Sequence, residues 1–155
     1  MTEDPVERRW RGWLQANLAG VAPFLSIDAA LGLLHAARQV RDKAYAPYSK
    51  FRVGAAILGR NGRLYTGVNV ENASYGATIC AERAAVVGAI GDGCGDFAAV
   101  AVVADFPRPT PPCGICRQVL AEFTSTAPVF MANMAGEIEV RSLAELLPLA
   151  FELKP

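Results

Sequence analysis

Phe97-Ala-Ala-Val-Ala-Val-Val-Ala104 is the stretch on which the fold turns. It is an almost continuous apolar run with no polar alternation, the pattern of a strand buried on both faces. Breakers bound it: Gly91-Asp-Gly-Cys-Gly95 before, and a loop from Asp105 to Pro112 holding four prolines after. Upstream, Cys80 to about Ile90 reads as a helix, since Ala81, Ala84, Ala85 and Val87 are helix-compatible and the glycine cluster ends it. Downstream, Cys113 to Phe123 reads as a second helix.

Further upstream, Phe51 to Leu58 and Arg63 to Val70 are separated by Gly59-Arg-Asn-Gly62. Asn-Gly between two apolar runs predicts a hairpin of antiparallel strands. A helix precedes them, capped by Ser26 or Asp28 and running to about Ala44, with Ala29, Leu33, Leu34, Ala37 and Val40 as its apolar face. His35, the only histidine, lies on this helix and reads as structural or exposed. Tyr45-Ala-Pro-Tyr-Ser-Lys50 is a loop, because Pro47 cannot continue a helix. Toward the C-terminus, Pro128–Ala132 and Glu137–Val140 read as short strands. Ser142–Leu147 reads as a helix with a Ser142/Glu145 capping box. The order predicts an α/β sandwich around one sheet. Residues 1–26 read as an extension before a domain of residues 27–155. Trp10, Trp13, Leu14 and Leu18 fall at roughly helical spacing, predicting a short amphipathic helix packed on the body or on a neighbouring subunit.

Hydrophobic residues make up 52% of the 155 and charged residues 19%, enough apolar material for a core and too much for a disordered chain. Basic and acidic residues balance at 15 each, which argues against a polynucleotide partner, because phosphate contacts supply most of that affinity. No Gly-rich phosphate loop points to a nucleotide. The first residues are charged where a signal peptide carries its apolar region, and no apolar run reaches the roughly 18 residues that a bilayer span needs. The expectation is a cytoplasmic chain whose thiols stay reduced and serve as ligands rather than disulfides.

Three of the four cysteines carry the chemistry. Catalytic zinc takes three protein ligands and keeps a fourth position for water. Cys80, Cys113 and Cys116 supply three, while Cys94 sits in a Gly-rich turn and His35 is remote in sequence. A closed structural site needs a fourth ligand, and neither Cys94 nor His35 has ligand-like spacing. Cys113 and Cys116 stand at i and i+3 of a helix start, on one face of its first turn. Cys80 opens the other helix. Helix N-termini favour thiolates through their free N–H groups and dipole. Arg83 and Arg117 follow ligands closely and are expected to donate to the sulfurs. Glu82, two residues past Cys80, suits a general acid–base that moves protons without ligating the metal.

At this point the chain resembles the small zinc-dependent cytidine deaminases. The resemblance runs from about Ala44 to Phe151 and rests on linked motifs in order: Tyr45-Ala-Pro-Tyr-Ser-Lys-Phe-Arg-Val-Gly-Ala-Ala56, Gly67-Val-Asn-Val-Glu-Asn-Ala-Ser-Tyr75, Cys80-Ala-Glu-Arg83 and Pro112-Cys-Gly-Ile-Cys-Arg-Gln118. It implies a three-layer α/β/α sandwich around a mixed five-stranded sheet. It implies one zinc per subunit and hydrolysis of cytidine and 2′-deoxycytidine to uridine and 2′-deoxyuridine in pyrimidine salvage, with zinc-bound hydroxide attacking C4. By the same resemblance Asn69 and Glu71 hold the ribose 3′-hydroxyl, Phe51 stacks near the pyrimidine, and Ala81 meets the base through its backbone. Tyr48 and Phe151 match positions that complete a neighbour's pocket, which implies a homotetramer. Without the resemblance, Asn69 and Glu71 read as solvated groups of a strand-end turn, and Phe51 as a core aromatic. Departures are the N-terminal extension, Gly76-Ala-Thr-Ile79 in place of a Pro-containing approach to Cys80, and the short tail after Phe151. A deaminase of a cytosine-containing antibiotic and a non-catalytic zinc protein are the competing readings. Asn69 and Glu71 favour ordinary nucleosides over the first, and Glu82 argues against the second.

Overall fold

A computed structural model describes residues 3–153. Its elements are α1 (Pro5–Val21), α2 (Ile27–Arg41), β1 (Val53–Gly59), β2 (Leu64–Val68), a 3₁₀ turn (Tyr75–Ala77), α3 (Ala81–Gly91), β3 (Phe97–Ala104), α4 (Gly114–Ala121), β4 (Pro128–Asn133), β5 (Ile138–Ser142) and α5 (Leu143–Leu146). The sheet order is β2-β1-β3-β4-β5. Only β3 and β4 run parallel, joined through α4, and the other neighbours are antiparallel. The mixed five-stranded sheet expected from the sequence is therefore present.

Helices cover both sheet faces. Along β3, Ala99, Ala101 and Val103 join α1 and α2 in one buried cluster, while Val100, Val102 and Ala104 join α3 and α4 in the other. That alternation explains why Ala99–Ala104 is apolar throughout: each face meets a helix layer, so neither set of side chains sees water. Phe97 joins the α3–α4 cluster out of turn, where the β1–β3 register shifts at Gly59. On the α2 face Gly54 carries the closest approach. A Cβ there would strike the Ala37 carbonyl, so only glycine lets β1 meet the α2 backbone.

Asp4 caps α1 by accepting from the Val6 N–H at 2.8 Å, with Pro5 in the first helical position. Trp10, Leu14 and Leu18 recur every four residues and are buried against α2, the body-packed alternative of the sequence reading. Polar ties reinforce the seam. Arg38 donates to Asp4 at 3.0 Å, and His35 Nδ1 lies 2.6 Å from Glu7 on the exposed side. Arg9 reaches across to the Ala135 carbonyl in the β4–β5 turn at 2.8 Å. The only histidine thus belongs to the α1–α2 seam. Helix α2 starts at the Ser26 cap as expected but stops at Arg41, three residues short of Ala44. The reason is tertiary: the Tyr45 N–H bonds the Asn69 carbonyl, which pulls the chain out of the helix. Among the described residues, no helix is long and apolar enough to cross a membrane.

Candidate metal and active site

Cys80 is the N-cap of α3 and Cys113 the N-cap of α4, and neither sulfur is used for capping. Cys116 lies in the first turn of α4, buried. Two helix N-termini therefore converge on one point, with α4 starting beyond the carboxyl end of β3, where open α/β sheets place their ligands. Gly67 sets the approach of α3. A Cβ at this position would strike the Ala81 carbonyl and the Ala85 N–H, so the first turn of α3 lies directly on β2. Upstream of Cys80, Ile79 and Val70 exchange both backbone hydrogen bonds (2.9 and 3.0 Å), which docks the approach strand.

The three sulfurs lie within 4.8 Å of one another, with Cys80 and Cys113 3.8 Å apart. A tetrahedron with zinc–sulfur bonds of about 2.3 Å has edges of about 3.8 Å. The donor set and the spacing fit zinc. The electrostatics point the same way. Hydrogen bonding from Cys116, then from Arg83 and Cys113, lowers the Cys80 thiol to about 5. The Cys116 thiol is pushed up, first by its hydrogen bond to Cys80 and then by burial. Three close thiols cannot all ionise unaided, because each thiolate raises the others. A divalent cation resolves that conflict, so the cluster is a cation site by its own chemistry.

Arg83 Nη2 donates to the Cys80 sulfur and to the Thr78 carbonyl, both at 3.4 Å, as expected for a residue that stabilises the thiolate. Arg117 corrects the expectation. Its guanidinium donates to the Pro112 and Leu146 carbonyls, both at 2.8 Å, and none of its hydrogen bonds runs to sulfur. The turn before Cys113 leaves a carbonyl pointing at that guanidinium, and α5 brings a second. Sequence spacing suggests sulfur because it carries no information about α5.

Glu82 is 4% exposed. Burial raises its carboxyl to about 7, and the Cys80 charge adds to that rise, while its own backbone N–H pulls the other way. A carboxyl poised there at neutral pH suits proton transfer in both directions. Ala81, fully buried, is the first helical residue beside it.

Asn69 and Glu71 flank Val70, whose backbone is fixed to Ile79. Alternation along the chain therefore puts their side chains on one side. Both are already engaged. Asn69 accepts from the Val53 N–H at 2.8 Å and donates to the Phe51 carbonyl at 2.7 Å. One Glu71 oxygen accepts from the Tyr48 and Ser49 N–H groups at 2.9 and 3.1 Å. They are the braces of the Tyr45–Phe51 loop, rather than solvated turn residues. The Ser49 hydroxyl engages the Glu71 carboxylate as well. Each keeps capacity in reserve: the second Asn69 amide hydrogen and the remaining lone pairs of the Glu71 carboxylate. Phe51 is half-buried, with Phe106 standing edge-on at 6.0 Å. Phe106, in the proline-rich loop, is a neighbour of Phe51 that sequence reading does not single out. Tyr48 meets Tyr75 edge-on at 6.0 Å, and Phe151 stays 70% exposed. Cys94 is buried near the Asp96 carbonyl, outside the thiol cluster.

Comparison with known proteins agrees with this geometry. The family model for the cytidine and deoxycytidylate deaminase zinc-binding region matches residues 29–132. A cytidine deaminase from Sporosarcina psychrophila is 50% identical over 120 residues, covering 77% of this chain and 88% of that protein. One from Halalkalibacterium halodurans is 51% identical over 120 residues, covering 77% of this chain and 91% of that protein. A crystal structure of cytidine deaminase from Burkholderia pseudomallei superposes with a TM-score of 0.75 at 50% identity, covering 77% of this chain and 97% of that one. With three thiols at zinc spacing on two helix N-termini, the chain belongs to the zinc-dependent cytidine and deoxycytidylate deaminase family.

Proposed function

We propose that this protein deaminates cytidine and 2′-deoxycytidine hydrolytically, giving uridine and 2′-deoxyuridine plus ammonia, in pyrimidine salvage. The observation that carries the reading is Glu82, buried beside three thiols on two helix N-termini. Cys80, Cys113 and Cys116 would hold the zinc, which supplies Lewis acidity to a water when bound. Glu82 accepts the proton of the attacking water on a carboxylate oxygen. It delivers that proton to N3 of the ring, then takes the proton of the new C4 hydroxyl and passes it to the exocyclic amine, so that the C4–N bond breaks with release of ammonia and C4 keeps a carbonyl oxygen. Arg83 keeps Cys80 a thiolate. Phe51 offers its face to the pyrimidine, and the Ala81 backbone meets the base. Asn69 and Glu71 hold the ribose hydroxyl with their remaining amide hydrogen and carboxylate lone pairs.

Tyr48 and Phe151 are taken as groups that complete a neighbour's pocket in a homotetramer. The supporting observation is apolar surface that a lone chain leaves in water: Tyr75 at 77%, Val87 at 70% and Ile115 at 62% exposure. Residues 1–26 are taken as an extension to a catalytic domain of residues 27–155, and the reduced thiols suit the cytoplasm.

Ammonia release from cytidine tests the reading. It is expected in the zinc-loaded protein, lost on chelation and restored by added zinc. Zinc-loaded protein that releases no ammonia from cytidine or 2′-deoxycytidine sinks it.

A further inference from the structure

Two consecutive residues of α4, just after Cys116, reach away from the metal cluster. Arg117 joins the Pro112 carbonyl to the Leu146 carbonyl, the last residue of α5. Gln118 Nε2 donates to the Phe151 carbonyl at 2.9 Å. Adjacent side chains thus grip both ends of residues 146–151. Between the grips, Pro148 forbids further helix, and Leu149 sits at φ 53° with its side chain fully in solvent. A non-glycine residue in the left-handed region, with no packing of its own, persists only where its flanks are held.

The Pro112 contact has a consequence for the metal. The peptide joining Pro112 to Cys113 is planar, so a grip on the Pro112 carbonyl fixes the plane from which the Cys113 side chain issues. Cys113 is the exposed member of the cluster and its sulfur makes no capping bond, so besides the Cys80 sulfur and the Arg117 N–H on its carbonyl, the Pro112 peptide plane is what orients it. Serving two carbonyls from two different nitrogens suits the rigid guanidinium fork, and a lysine has only one nitrogen to offer.

We propose that Arg117 and Gln118 form a clamp that binds the 146–151 strap to the metal-bearing helix. Arg117 is a positioning residue for Cys113, and Gln118 sets the place of Phe151. The inference rests on the zinc reading above.

Chymotryptic cleavage after the exposed Leu149 and Phe151, zinc release to a chelator and the absorption of the cobalt-loaded protein together test the clamp. In Arg117→Ala, cleavage after Leu149 is expected to be at least tenfold faster, with zinc leaving at least tenfold faster and a shifted thiolate–cobalt band. In Gln118→Ala, cleavage after Phe151 is expected to be at least fivefold faster, with zinc release within twofold of the parent and an unchanged cobalt band. Arg117→Lys is expected not to rescue zinc retention. Cleavage within twofold of the parent in either alanine variant overturns the clamp, as does parent-like zinc release and cobalt absorption in Arg117→Ala. If Arg117→Ala does not fold, Arg117→Lys takes its place with the same two outcomes. A parent that binds no zinc overturns the zinc reading instead, while cleavage in that metal-free protein still decides whether the strap is clamped.

Discussion

At the scale of the residue, Glu82 shows how burial changes what a carboxyl is suited to do. A carboxyl on a helix's first turn is ordinarily solvated and ionised, where it complements the dipole. Here desolvation and the neighbouring Cys80 charge lift it to about 7. Glu82→Gln preserves volume and burial but cannot carry a proton. Turnover of cytidine is expected to fall by about 10²–10⁴-fold, with zinc content unchanged by metal analysis. Substantial activity in that variant removes Glu82 from the mechanism. Asn69 illustrates the reverse relation between position and contact. Its motif is legible in the sequence, yet its bonds to Val53 at the start of β1 and to Phe51 in the loop before it are not, because they join residues 16 and 18 positions apart.

Elements carry the next level. The first turn of α3 reaches the cluster only because Gly67 lets it lie on β2. In Gly67→Ala, the added methyl meets backbone atoms that cannot rotate aside. α3 is expected to shift outward, giving lower stability by about 1–3 kcal/mol and weaker zinc retention. Equal stability and retention in urea and chelator titrations count against the close approach. Helix α1 is joined to the body by Trp10, which is fully buried under the Arg38 guanidinium. Trp10→Ala is expected to cost about 3–5 kcal/mol, read by urea denaturation. Zinc content should be unaffected, because α1 and the cluster lie on opposite faces of the sheet. A loss below about 1 kcal/mol identifies α1 as a loosely attached appendage.

For the whole molecule, stability should depend on acid through seams between elements. The Arg38 hydrogen bond, then the Val6 N–H, hold the Asp4 carboxyl below its ordinary 3.8. A carboxyl depressed in the folded state contributes stability that is fully present above its unfolded value. That stability is lost as pH falls through the folded value. The Tm difference between the parent and Asp4→Asn is therefore expected to be constant above about pH 5 and to shrink below about pH 4. A difference that grows in acid reverses the sign of this linkage. Because Asp4 is only partly buried and is screened by solvent, the effect is small and appears in the comparison rather than in the parent curve.

Much of this protein is legible in its amino-acid order alone. Three cysteines at ligand spacing, Glu82 beside one of them, an Asn-Gly hairpin and an apolar run between helices are local patterns. Local patterns express propensity, periodicity and capping, which depend on residues within a turn or two. What Arg117 grips, what braces the Tyr45–Phe51 loop, where α2 stops and which face α1 covers are decided only by tertiary contact. Each depends on a backbone group supplied by a remote element. A carbonyl looks the same at every position in a sequence, so only the fold can say which one a side chain will meet.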